Sequence, residues 1–159
     1  MIELTLTPDE VQYAAMHGVA RRKNKLAGLR ADREQGEPST WDNEIEGALV
    51  ELAYCKWRNC HWWGLAGVRA SDADNCEIRW TKHYGTGGLI GYRHDNPDKR
   101  FVLVEGFAPR YRVVGWLFGR EVKPAQHLTP KGFFLAPRNT LRSMESLDSP
   151  ERMASVRTA

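Results

Sequence analysis

Apolar positions change period along the chain, and the change divides it into two halves. In "TPDEVQYAAMHGVARRKNKLAGLRADRE", residues 7 to 34, Val11, Ala15, Val19, Leu26 and Leu29 recur at helical spacing and predict a buried stripe. Thr7 as N-cap, Pro8 at the first helical position and Glu10 closing a capping box predict where that helix begins. After the loop "QGEPST", "WDNEIEGALVELAYCKWRN" predicts a second helix, capped by Ser39 with Asp42 three residues on, its apolar face made by Ile45, Leu49, Leu52 and Ala53. From residue 77 the period shortens. "EIRWTKHY", "LIGYR", "RFVLVEGF" and "YRVVGWLFG" read as three or four short strands in series, meandering antiparallel, with "GTGG" as a hairpin turn and not a phosphate cradle. Two prolines bracket a last strand in "KGFFLA", "NTLRSMESL" reads as a short helix, and 148–159 as a mobile tail. Helices followed by a sheet, mostly antiparallel or mixed, make an α+β domain.

With 159 residues, the chain suits one domain spanning 1–159. A hydrophobic share of 42% and a charged share of 27% exclude a disordered chain. No stretch approaches the roughly 18 apolar residues of a membrane helix, and the N-terminal "MIELTLTPDE" lacks the pattern of a signal peptide, so the reading is of an intracellular, cytoplasmic protein with no membrane partner. The three cysteines suit reduced thiols better than a disulfide framework. Cys55, Cys60, His61 and Cys76 lack the paired short spacers of a structural zinc site, which argues against zinc.

Net charge is +3, and its distribution says more than its total. Arg21, Arg22, Lys23, Lys25, Arg30 and Arg33 meet only Asp32 as a counter-charge between residues 21 and 33, a basic patch suited to phosphates, with Lys82 as a further cation on the sheet. Six tryptophans exceed what a core of this size requires, so flat rings such as Trp62 and Trp63 are candidates for contact with a nucleic-acid strand.

The acids form a second pattern. Glu44 and Glu51, nearly two turns apart, share a helix stripe with small Gly47 and Ala48 between them, whereas Glu46 lies off that stripe and should be solvated. Asp72, Asp74 and Glu77 precede or enter a strand, and Arg79 shares a strand face with Glu77. Carboxylates of this kind suit a hard cation that polarises a phosphodiester, beside a guanidinium that neutralises charge in the transition state. The same residues also fit solvated helix acids, turn formers and a surface charge pair.

The helix "NEIEGALVELAYCKW", Asp72 or Asp74, and the acid-x-cation triplet "EIR" at 77–79 together resemble the PD-(D/E)XK nuclease superfamily, in particular small phage or prophage members, over residues 40–120. That resemblance implies a restriction-endonuclease-like core and metal-dependent hydrolysis of DNA in a bacterial host cell, with Mg²⁺ or Mn²⁺ as cofactor. It implies Asp74 (or Asp72) and Glu77 as metal ligands, Glu51 or Glu44 as helix carboxylates at the ion or its water, and Arg79 as phosphate clamp. It leaves a homodimer open. One departure matters: Arg79 stands where the family carries lysine, and arginine cannot take a proton. The alternative that follows is a nuclease fold that no longer cuts and binds nucleic acid or a protein.

Overall fold

A computed structural model describes residues 2–28, 40–64 and 72–148. The chain begins with a strand, β1 (Ile2–Thr5), and enters α1 (Pro8–Leu26) through the capping box its sequence announces: Thr7 N–H donates to Glu10 at 2.7 Å, and Glu10 N–H to the Thr7 hydroxyl at 3.2 Å. Helix α2 (Trp41–Arg58) starts on Thr40, whose hydroxyl accepts from Asn43 N–H. Ser39, the cap expected from sequence, lies outside the described residues. Asn59, in the left-handed conformation, ends α2.

Four strands form one mixed sheet in the order β1-β5-β4-β2, from β2 (Cys76–Thr81), β4 (Arg100–Phe107) and β5 (Arg110–Phe118) together with β1. Strands β4 and β5 form the expected antiparallel hairpin, and β1 pairs antiparallel to β5. The predicted meander fails at "GTGG". Strand β2 runs parallel to β4, and β3 (Leu89–Gly91) leaves to pair with β6 (Phe134–Ala136) in a separate two-stranded sheet. The segment after β2 is a crossover and not a reversal, since a parallel pair needs its connection to return to the same end. It is anchored by Glu105, which accepts from Gly85 N–H at 3.0 Å, and by Gly88, where a Cβ would stand 2.5 Å from the Ala136 carbonyl oxygen.

Alternation along the strands separates two apolar layers. Cys76, Ile78, Val102, Val104, Val113 and Trp116 face the helices with Leu49, Val50, Ala53 and Tyr54; Phe101, Leu103 and Leu117 face the other way, under Leu89 and Ala136 of the small sheet. A short helix, α3 (Gly119–Val122), follows β5 and adds Val122 to that second layer. The expected final helix is two separate 3₁₀ turns, Arg138–Thr140 and Met144–Ser146. Arg142 between them exchanges both backbone hydrogen bonds with Trp116, at 3.0 and 3.1 Å, which an α-helix there would forbid.

Helix α1 departs from the predicted stripe. Its buried residues are Ala14, Gly18 and Arg21, whereas Val19 and Leu26 are exposed and Leu29 lies outside the described residues. The cause is the close crossing with α2: a Cβ on Gly18 would lie 2.5 Å from Ile45 Cα, so α1 presents its smallest residues, not its largest. Gly47, between Glu44 and Glu51 on α2, has nothing within 4 Å of where its Cβ would be.

Candidate functional site

The turn "DADN" shapes the site. Asp74 and Asn75 both adopt positive φ, 47° and 59°, a conformation these two residue types tolerate better than most. Cys76 N–H closes the turn on the Ala73 carbonyl at 2.7 Å. This folds Asp72 back along β2, an edge strand, where its Oδ2 accepts from Ile78 N–H at 2.9 Å. Strand alternation then separates what surrounds it. Ile78 enters the core beneath the helices, while Glu77 and Arg79 project to the opposite face, in register with Phe101 and Leu103.

On that face Arg79 is clamped. Its guanidinium donates to Asp95 Oδ1 at 3.0 Å, approaches Glu77 at 4.0 Å, and lies over the rings of Phe101 and Tyr92 at 5.0 and 5.8 Å. Burial pulls its pKa down, but Asp95, Asp72 and Glu77 outweigh that and hold it above the ordinary arginine value. Asp95 is itself fixed, its Oδ2 accepting from Tyr92 N–H at 2.8 Å. His94 stacks on Tyr92 and brings Nε2 to 3.8 Å from Asp95 Oδ1. Glu77 is the perturbed member. Burial first, then the charges of Asp72 and Asp95, raise its carboxyl to about 7 against the pull of Arg79 and Lys99.

The expected helix acids are held in ion pairs of their own. Glu51, on α2, is buried and forked by Arg21, with contacts of 2.8 and 2.5 Å, and accepts a third hydrogen bond from the Trp62 indole at 3.2 Å. Burial, and Asp72 nearby, lift the Glu51 carboxyl above its usual range in spite of Arg21. The guanidinium keeps its charge because Glu51, together with Asp72 and Glu44, outweighs its desolvation. Glu44 pairs with Lys25 at 2.5 Å. Asp74 turns away from Glu77 to Arg58 at 2.9 Å, and Arg58 also binds Asp148 at 2.6 Å. Of the two candidate strand acids, Asp72 therefore adjoins the Glu77–Arg79 group and Asp74 does not.

The predicted basic grip is correspondingly altered. Arg21 is 5% exposed and donates through Nε to the Gly64 carbonyl at 2.7 Å as well as to Glu51, so it faces inward and cannot meet a phosphate. Lys25 is held by Glu44, Lys23 is exposed, Arg22 is half-buried, and Arg30 and Arg33 lie outside the described residues. Trp62 is a structural ring, edge-on to Tyr13 and His17; Trp63 is half exposed. Lys82 is exposed just beyond the end of β2. Glu46, expected to be solvated, is half-buried and accepts from the Tyr111 hydroxyl at 2.8 Å.

Asp95 was not a candidate from sequence, because "HDNPDK" reads as an ordinary polar loop; only the crossover through β3 brings it against β2. Glu105, fully buried and bound to Arg138 and Gly85, was missed for the same reason. Among the described residues no three His, Cys, Asp or Glu side chains are grouped to hold a metal ion. A magnesium ion completed by substrate phosphates and water needs only one or two carboxylates; by charge and placement Asp72 and Glu77 would hold it, and it would polarise a phosphoryl oxygen. No protein-family model, curated protein or solved structure matches the chain.

Proposed function

We propose that the chain is a metal-dependent nuclease-like domain with a restriction-endonuclease-like core, acting on the DNA phosphodiester backbone in phage or prophage DNA metabolism. Its chemistry centres on Glu77 and Arg79. The observation that carries the reading is the Glu77 carboxyl on the edge strand, half-buried 4.0 Å from the permanently charged Arg79 guanidinium, with Asp72 and Asp95 close enough to raise its pKa. Arg79 cannot accept a proton, so activation of the attacking water would rest on the divalent cation that Asp72 and Glu77 would hold. Arg79 supplies fixed positive charge where the transferred phosphorus gains negative charge. Surplus carboxylate charge at Asp72, Glu77 and Asp95 also favours a divalent cation over a proton there.

A second reading has its own support. Arg21, Lys25 and Arg58 occupy Glu51, Glu44 and Asp74, which favours a nuclease fold that binds nucleic acid without cutting it. One experiment separates the two. The full chain is incubated with supercoiled, linear and single-stranded DNA in Mg²⁺, Mn²⁺ or EDTA, with Glu77→Gln alongside. Cleavage that requires metal and disappears in Glu77→Gln is the expected result. Binding without cleavage selects the second reading, and cleavage undiminished in Glu77→Gln refutes the site.

A further inference from the structure

A cleft of about 560 Å³ opens beyond the far end of β2, lined by Thr40, Asp42, Asn43 and Glu46 of the α2 start, Trp80, Thr81 and Lys82 of the strand end, and Phe107. Its size is that of a small-molecule site. Three features of its wall differ in chemistry. Phe107 is 58% exposed and buttressed edge-on by Tyr84, and the Trp80 indole is fixed by donating to the Gly106 carbonyl, so flat apolar surface is held in place. Glu46 and Asp42, four residues apart on one helix face, offer carboxylate oxygens; Tyr111 and the Ala108 backbone occupy part of the Glu46 carboxyl and leave acceptor positions over. Lys82 adds an exposed cation at the rim.

A wholly apolar ligand would waste the carboxylates, and a simple ammonium or guanidinium ligand would make no use of Lys82. A ligand with a π-face, an edge of adjacent N–H donors and an anionic end satisfies all three. Among nucleobases only guanine presents neighbouring imino and amino donors, which match a carboxylate acceptor, while aromatic rings stack on any base. Burial, reinforced by Asp42, raises the Glu46 carboxyl pKa against the hydrogen bonds from Tyr111 and the Ala108 backbone.

We propose that this cleft is a base-recognition pocket that takes an unpaired guanine nucleotide, stacked on Phe107 and Trp80, its donor edge on Glu46 and Asp42 and its phosphate toward Lys82. The proposal rests on the nucleic-acid reading above and names what that reading leaves open, the form and sequence of the strand.

The test measures binding of the full chain, in EDTA, to labelled oligo-dT strands carrying one central guanine, inosine or adenine, and in parallel to free GMP and AMP by calorimetry. Inosine lacks only the amino group. The guanine strand should bind about tenfold or more tighter than the other two, from stacking and bidentate base contacts of typical size. Phe107→Ala should weaken all three strands, and Asp42→Asn and Glu46→Gln should erase the guanine preference. Asp42 is exposed, so its variant keeps the test open if Glu46→Gln fails to fold. Arg79→Ala should weaken all strands alike and leave the preference intact. Equal binding of the three strands overturns the pocket and leaves the DNA reading standing. Binding of GMP over AMP with no strand bound keeps the pocket and removes the DNA reading. No binding of either kind overturns both, and capture of an oligo-arginine peptide in place of GMP overturns the base assignment.

Discussion

Replacing Glu77 by glutamine should stabilise the protein, and more so as the pH rises. The carboxyl has a pKa of about 7 in the fold against 4.5 in an unconstrained glutamate, so between those values the folded state binds the proton that the unfolded state has lost. Stability therefore falls with pH across that window. Protonated Glu77 contributes fully below about pH 4.5, and the contribution is gone above about pH 7. The whole shift of about 2.5 units is worth roughly 3 kcal/mol at about 1.4 kcal/mol per unit, of which roughly 2.5 kcal/mol is lost between pH 5 and pH 8. Glutamine keeps the shape of the neutral acid and has no proton to lose. Urea unfolding of both proteins at pH 5, 6, 7 and 8 measures the difference. Glu77→Gln should gain roughly 2–3 kcal/mol on the parent between the ends of that series, equivalent to about 4–12 °C in Tm for a chain of this size. A difference that stays constant with pH, or a variant less stable at pH 8, would show that burial and the charges of Asp72 and Asp95 do not raise the Glu77 carboxyl, and would remove the crowding of acids on which the proposed chemistry stands.

The Arg21–Glu51 pair makes a different demand: Arg21→Ala, leaving a buried carboxylate without its fork, should cost about 3–5 kcal/mol, whereas Arg21→Met with Glu51→Leu should recover most of that loss in the same urea assay. Gly18→Ala should destabilise by about 1–3 kcal/mol, because its methyl would meet the backbone of Ile45 and Glu44 at 2.5–2.6 Å; a neutral result in thermal unfolding would mean the two helices do not cross there.

What local chemistry dictates was readable in the chain, and what distant elements dictate was not. The Thr7 capping box, the antiparallel β4–β5 hairpin, and the shared face of Glu77 and Arg79 each depend on residues close to one another in sequence. The buried stripe of α1 failed because amphipathicity assumes that helices bury their largest apolar residues; here a close crossing selects Ala14 and Gly18, and an arginine is buried by acceptors 30 and 43 residues away. Asp95 and the parallel pairing of β2 with β4 were hidden for a related reason. Nothing between residues 82 and 99 marks whether the chain turns back or crosses over, and the answer rests on the pairing of β3 with a strand more than forty residues later.

Arginine in the triplet then has a physical explanation. The residue at this position lies over the rings of Phe101 and Tyr92 and is largely desolvated. A lysine there would be driven toward its neutral form by burial, the third carboxylate Asp95 notwithstanding, and its tetrahedral ammonium would neither stack on the rings nor present a flat donor edge to Asp95. Arginine keeps its charge under the same conditions. Burial, and then the charges of Asp72 and Asp95 that also hold Arg79 in its charged form, lift Glu77 toward neutrality. Exchanging the guanidinium for an amine would disturb both members at once, so the arginine and the raised carboxyl are best understood as one arrangement: a fixed cation held by Asp95, beside a carboxyl whose pKa lies near neutrality.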